Sequence, residues 1–246
     1  MTMAGLILLS DIHANLSALE SVISHFTRHY QAEGVILLGD IINYGMRPRE
    51  VMSCLASLKL PILASIRGNH EQGIFDGDTK EFSTDRGRRA LDFTRRMLGE
   101  SGMRQLERMC APTGTSELTI AGKRILLVHG SLDNPYWGKL TRENVPAEMY
   151  QDYDYVLSGH SHIPHHFEMM YPAARPLYRN RRRTVFVNPG SVGQPRNHNP
   201  RAQYAYLDIA ADTVHFNSVE YDIDLEQSLY TPDIDPFYRE RLTRGI

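Results

Sequence analysis

Val35-Ile36-Leu37-Leu38-Gly39-Asp40 is the stretch on which the reading of this chain turns. Four consecutive apolar residues suit a strand covered on both faces, and the glycine lets the backbone turn as it leaves the sheet. A carboxylate placed at the mouth of a buried strand is tolerated only if it is solvated, paired or bound to metal. The pattern recurs along the sequence. Leu6 to Leu9 run into Ser10-Asp11-Ile12-His13, and Ile62 to Ile66 run into Arg67-Gly68-Asn69-His70-Glu71. Arg124 to Val128 end in His129-Gly130, and Tyr155 to Leu157 in Ser158-Gly159-His160-Ser161-His162.

Between the first two of these strands, Asn15 caps a helix whose Leu16, Leu19, Val22, Ile23, Phe26 and Tyr30 recur at helical spacing. A strand, helix, strand unit with right-handed crossover makes the strands parallel, and parallel strand ends share the edge at which ligands bind. Pro48 opens a second helix with Val51, Leu55 and Leu58 inward, and Pro61 ends it. The fold class is therefore α/β. Residues 72–115 change character: Arg-rich helical patterns broken by Gly77, Gly87, Gly99 and Gly102 predict a helical insertion or lid. Glu117 to Ile120 and Arg124 to Val128 predict a hairpin across Ala121-Gly122-Lys123. Thr184 to Val187, Tyr204 to Leu207 and Val214 to Tyr221 predict further strands, the last two in a terminal meander. The acidic, proline-containing tail after Asp222 is expected to pack loosely.

The 246 residues, 41% of them hydrophobic, suffice for one large core, and residues 1–246 are read as a single domain. A net charge of -2 gives no global attraction for nucleic acid or an anionic membrane. Cys54 and Cys110 form no disulfide framework and are expected to be buried thiols. With no basic leader and no stretch of about 20 apolar residues, the expectation is a cytoplasmic protein without a membrane partner.

Asp11, His13, Asp40, Asn69, His129, His160 and His162 all follow strands, which is a dinuclear site's worth of donors. Two divalent ions about 3.5–4 Å apart need a bridging carboxylate and clamp the attacking and leaving oxygens of a phosphoryl transfer. Asp40 is the natural bridge. Two aspartates leave such an ion pair positive, so the site attracts a phosphate ester. With no cysteine in the set, mixed nitrogen and oxygen ligation suits manganese, iron, zinc, cobalt or nickel better than magnesium.

Asp11-x-His13, Gly39-Asp40, Gly68-Asn69-His70-Glu71, His129 and Gly159-His160-x-His162 resemble, in order, the signature blocks of the calcineurin-like metallophosphoesterases. Asn188-Pro189-Gly190-Ser191-Val192-Gly193 is similar to a closing loop of their compact prokaryotic, YfcE-type members. The resemblance implies a two-sheet sandwich flanked by helices, a four-layer α/β/β/α fold. It implies one ion on Asp11, His13, Asp40 and His162, and another on Asp40, Asn69, His129 and His160. It also implies that His70 lies over the site, protonating the leaving oxygen or steadying the phosphoryl group. The expected reaction is hydrolysis of a small or nucleotide-like phosphoester, as phosphodiesterase or phosphatase, by in-line attack of a metal-held hydroxide. His70 is expected to act as general acid because an imidazole titrates near neutral pH, with Glu71 either orienting it or capping the following turn.

Around these donors, Asn15, Asn43, Arg67, Ser191 and Arg196 are candidate substrate contacts, set against plainer roles as caps and turns. Tyr44, Tyr136 and Trp137 are candidates to stack on a nucleobase or aryl group. His25 and His29 fall on the expected solvent face of the first helix, and His165 and His166 are surplus to the donor set. Arg179, Arg181, Arg182 and Arg183 read as a solvated hairpin tip rather than a nucleic-acid track. Two rivals remain: a non-catalytic metal-binding scaffold, disfavoured by the intact donors and His70, and a phosphoprotein phosphatase. Ile41-Ile42-Asn43-Tyr44-Gly45 after Asp40 departs from the arginine-bearing blocks of the latter.

Overall fold

The computed structural model describes residues 5–77, 82, 84–172 and 182–246. Two five-stranded sheets pack face to face. The first has the order β10 (Thr213–Val219), β9 (Ala202–Asp208), β1 (Gly5–Leu9), β2 (Gly34–Leu37), β3 (Ile62–Ser65). The second has the order β4 (Thr115–Ile120), β5 (Lys123–Val128), β6 (Tyr155–Ser158), β8 (Arg183–Asn188), β7 (His165–Met170). β1, β2 and β3 run parallel, as the crossover rule requires, and so do β5, β6 and β8. The outer strands β9, β10, β4 and β7 pair antiparallel.

Strand residues alternate between two apolar clusters, which is why the central strands are apolar without a break. Leu6, Leu8, Ile36, Leu38 and Leu207 meet Leu127, Leu157 and Val187 between the sheets. Ile7, Leu9, Val35 and Leu37 face outward onto α1 (Leu16–His29), α2 (Pro48–Ala56) and α4 (Asp85–Met109). α4 contributes Leu91, Leu98 and Leu106 to that cluster, so its helical pattern is a core pattern. It is interrupted at Gly99 (φ 56°), where the Arg49 guanidinium donates to the freed Leu98 carbonyl at 2.6 Å. The outer face of the second sheet is covered by the irregular segment after β5, through Leu140 and Tyr150.

Some expectations are corrected. β3 is a half-exposed edge strand, with Leu63 43% exposed. β7 had no legible signal, because His165-His166-Phe167-Glu168 lacks alternation. Cys110 is buried but Cys54 only half so. His25 is not a plain surface residue: its Nδ1 lies 2.6 Å from the Tyr204 hydroxyl. Arg179 and Arg181 lie outside the described residues, whereas Arg182 pairs with Asp152, and Arg183 with Glu168 and Asp212.

The largest correction is the tail. α5 (Ile223–Ser228) and α6 (Pro236–Glu240) pack tightly rather than loosely. Glu226 is buried, accepting from the Ser17 amide and pairing with Arg47, and Ile234 and Tyr238 join Tyr44, Met46, Ala90 and Phe93 in a fourth apolar cluster. Its polar sequence concealed a set of aromatic anchors spaced between the charges. Among the described residues no helix is long and apolar enough to cross a membrane.

Candidate metal centre

The loops after β1, β2, β5 and β6, together with the start of α3 (Asn69–Asp76), converge on one point between the sheets. Asp11, His13, Asp40 and His162 each place a donor atom within 4.8 Å of the others, and Asp40, His129 and His160 form a second such group. Asp40 belongs to both. Its Oδ2 lies 3.2 Å from His129 Nε2 and 3.8 Å from both His13 Nε2 and His70 Nε2. Asn69 Oδ1 sits 3.1 Å from His129 Nε2 and 3.1 Å from His160 Nδ1. All seven expected donors are therefore brought together.

The ring hydrogen bonds show what these donors fit. Nδ1 of His13, His129 and His162 faces the carbonyls of Ile42 (3.2 Å), Leu38 (2.6 Å) and Gln194 (2.6 Å). A neutral imidazole that donates from Nδ1 has only a lone pair at Nε2. His13 Nε2 and His162 Nε2 nevertheless face each other at 3.2 Å, with Asp11 Oδ1 3.0 Å from the latter and otherwise unpartnered. Lone pairs converging on lone pairs in a buried site call for a cation, and the carbonyls behind the rings fix the tautomer that binds one. Burial, reinforced for His13 by His162 and for His162 by Arg196, holds both imidazoles well below their ordinary range, hence neutral. Burial disfavours the Asp40 carboxylate, but His129 and His70 outweigh it and keep Asp40 ionised. Burial likewise opposes a charge on His129, yet the Asp40 carboxylate outweighs it and raises His129 to about 9.

The backbone is bent to present these groups. Asp11, His13, Ala14, Asp40, Asn43, Tyr44, His160 and His162 all have positive φ, between 48° and 76°, although none is glycine. Such residues cost about 1–3 kcal/mol each and persist only where the surroundings over-determine them. Glu71 supplies much of that determination. Its carboxylate accepts from the amides of Asp40 (2.8 Å), Ile41 (2.9 Å), Ile42 (3.2 Å) and Gly68 (2.8 Å). It thus caps α3 and clamps the Asp40 loop, and does not orient His70.

That role falls to Asn43. Its Nδ2 lies 2.6 Å from His70 Nδ1, and its Oδ1 accepts from the buried Thr94 hydroxyl of α4 at 3.1 Å. With Nδ1 accepting, the His70 proton sits on Nε2, on the side of Asp40. Burial pushes His70 down to about 4, so at neutral pH the ring is a neutral donor and not the half-protonated acid expected from its usual titration. Thr94 carried no signal in the sequence, being one polar residue on an amphipathic helix.

Two proposed substrate contacts are scaffold instead. Asn15 spends its amide on the Ala18 amide (3.0 Å) and the Gly193 carbonyl (3.0 Å), tying the first helix to the closing loop. Ser191 donates to the Asp11 carbonyl (2.7 Å) and accepts from the Gln194 amide (2.8 Å). Arg67 stacks over Phe75 at 4.1 Å, whereas Arg196 places its amide on the His162 carbonyl at 3.2 Å. Tyr44, Phe82 and Trp137 form an aromatic wall, with ring centroids 4.5 Å and 5.1 Å from His70 and 5.7 Å from His160 respectively.

Gly68 packs so closely that an added Cβ would overlap the Asp40 carboxylate and lie 2.5 Å from the Asp40 amide. Gly68→Ala is expected to lower metal content by displacing Asp40 and to cost about 1–3 kcal/mol of stability. Elemental analysis and thermal unfolding check this; wild-type metal content would show that the loop relaxes around the methyl group.

The chain is 28% identical over 220 residues to an uncharacterized protein of Methanocaldococcus jannaschii, covering 87% of each. It is 27% identical over 214 residues to the phosphodiesterase YfcE of Escherichia coli, covering 84% of this chain and 88% of that protein. The crystal structure of a metallophosphoesterase from Sphaerobacter thermophilus superposes with a TM-score of 0.76 at 26% identity, with 100% of both chains covered. A hypothetical protein of Pyrococcus horikoshii gives 0.77 at 25% identity, with 99% of both covered. The calcineurin-like phosphoesterase superfamily domain matches residues 5–212, a span that holds every one of the seven donors and His70. The chain belongs to the calcineurin-like phosphoesterase superfamily and is a metal-dependent hydrolase of phosphoesters.

Proposed function

We propose that the protein is a dinuclear phosphoesterase, a phosphodiesterase or phosphatase acting on a small or nucleotide-like substrate. The observation that carries this reading is the membership of Asp40 in both donor groups. Asp11, His13, Asp40 and His162 hold one divalent ion and Asp40, Asn69, His129 and His160 the other, with manganese, iron, zinc, cobalt and nickel all suited to these donors. Such a pair supplies Lewis acidity toward the phosphoryl oxygens and a nucleophile at neutral pH.

The chain's own part is positioning and proton placement. Thr94 fixes the Asn43 amide, Asn43 holds His70, and His70 directs Nε2–H to the departing oxygen or to the phosphoryl group. Arg196, whose amide donates to the His162 carbonyl at 3.2 Å, begins next to the donors and is the phosphate contact of this reading. Within the aromatic wall the half-buried Trp137, 5.7 Å from His160, is the ring open to a nucleobase or aryl group, which supports a nucleotide-like substrate. Thr94 and Phe82, both within residues 72–115, then belong to the support of His70, within a single domain.

Assaying manganese-loaded protein against aryl monoesters, aryl diesters, cyclic nucleotides and a phosphopeptide tests the proposal. Turnover of the small esters is expected. Inactivity with every metal tried leaves a non-catalytic scaffold, and turnover of the phosphopeptide alone leaves a protein phosphatase. Thr94→Val is expected to lower kcat about fivefold, the equivalent of one hydrogen bond, with KM and metal content unchanged. An unaltered kcat would remove Thr94 from the positioning chain.

A further inference from the structure

Beyond residue 212 the chain lies outside the superfamily match, yet its last α-helix stands one ring away from the metal centre. Tyr238 of α6 is buried and stacks on Tyr44, with ring centroids 4.2 Å apart and planes 18° apart. Tyr44 in turn meets the His70 ring at 4.5 Å, nearly edge to face, and the His13 ring at 4.6 Å. Phe82 also packs on His70, at 5.1 Å, and Asn43 Nδ2 lies 2.6 Å from its Nδ1. The bearing of His70 is thus set by Asn43, Tyr44 and Phe82.

The loop that carries Asp40, Asn43 and Tyr44 is held in two halves. The Glu71 carboxylate takes the amides of Asp40, Ile41 and Ile42, and its reach ends there. Asn43 and Tyr44 come next, left-handed at φ 76° and 65°, and among the described residues neither amide donates a hydrogen bond. Residues other than glycine keep such a conformation only where their surroundings enforce it. The Gly45 amide ties the end of the loop to the His13 carbonyl at 3.1 Å, and the tail covers the residues between. Ile234 and Tyr238 pack there with Tyr44 and Met46, and with Ala90 and Phe93 of α4, the helix whose Thr94 holds Asn43. The tail has anchors besides the Tyr238 ring. Glu226 pairs with Arg47, the Arg86 guanidinium carbon lies 3.9 Å from the Phe237 ring centroid, and the Tyr238 carbonyl accepts from Gln194 Nε2 at 3.5 Å.

We propose that Tyr238 is a positioning residue for the hydrolysis: stacked behind Tyr44, it keeps Asn43 and Tyr44 in place and, through them, the bearing of His70. This rests on the reading of His70 as the group that directs Nε2–H to the departing oxygen. A flat aromatic partner fixes the plane of Tyr44, which an aliphatic side chain of similar bulk does not. Glu71 serves the bridging aspartate and the tail serves His70, so loosening the stack weakens the chemical step and spares the metal.

Steady-state kinetics of the manganese-loaded protein on an alkyl and a nitrophenyl phosphate ester test this, with elemental analysis of the same preparations. Tyr238→Leu is expected to lower kcat on the alkyl ester about fivefold to tenfold, the worth of one stacked aromatic pair, and to lower it less on the nitrophenyl ester. KM and metal content should not change. Tyr238→Phe, which keeps the stacked ring, should restore the rate. In a His70→Ala background Tyr238→Leu should have no further effect, because the two side chains act through one group. An undiminished rate, an equal loss on both esters, a loss of metal, a Phe variant as slow as the Leu variant, or a full further loss in the His70→Ala background overturns the proposal. Should Tyr238→Leu fail to fold, Tyr238→Met must show the same selective loss or the proposal is refuted. Failure of the His70 reading looks different: His70→Ala alone would then show no dependence on the leaving group.

Discussion

Asp40→Asn is expected to leave the protein without its metal and without turnover. The substitution keeps the shape of the side chain, so the His70 amide that donates to Oδ1 at 3.0 Å retains a partner. What disappears is the negative charge at Oδ2, around which three imidazoles gather. Removing one partner from a buried, mutually compensating set of charges costs about 3–5 kcal/mol, or on the order of 10²–10⁴ in affinity. Because Asp40 belongs to both donor groups, both ions should be lost together rather than one. Elemental analysis of protein prepared without chelator reads this directly. Retention of one ion per chain would show that the two groups are independent and that Asp40 is not the bridge.

His70→Ala is expected to separate chemistry from metal binding. The ring lies 3.8 Å from Asp40 Oδ2 without completing either donor group, so metal content should match that of the wild type. Turnover should fall about 10²–10³-fold, the range for loss of one positioned hydrogen-bond donor. The loss should be steeper for esters with basic leaving groups, such as alkoxides, than for nitrophenyl esters, whose departing oxygen needs little hydrogen-bond support. An undiminished rate on an alkyl ester would remove His70 from the mechanism. A loss of metal would instead make His70 a support for Asp40.

The donors were legible because of how parallel strands work. Each central strand must be apolar on both faces, so the first polar residues after it stand out, and parallel ordering brings those strand ends to one edge. Asp11, His13, Asp40, His129, His160 and His162 could be read in this way, and so could α1, through its spacing and its Asn15 cap. What lay hidden depended on approach between distant segments. Glu71 serves the Asp40 loop through hydrogen bonds spanning 29 to 31 residues, and Thr94 reaches Asn43 across 51. Neither relation leaves a periodic trace. Asn15 and Ser191 flank donors in sequence, which makes them candidates for substrate, but their side chains brace the loops. The tail's packing is hidden in the sequence because Tyr238 and Arg241 lie against Tyr44, some two hundred positions earlier.

The left-handed residues that carry the donors bear on how the protein acquires its metal. The free-energy cost of contorting those loops is met by the folding of the whole sandwich, with the Glu71 clamp and the ring-to-carbonyl bonds holding the result. An arriving ion therefore finds a preorganised receptor, and little of its binding energy is diverted into reshaping the polypeptide. Selection among candidate ions then falls to donor chemistry and cellular supply, since a rigid receptor cannot adapt its geometry to each newcomer.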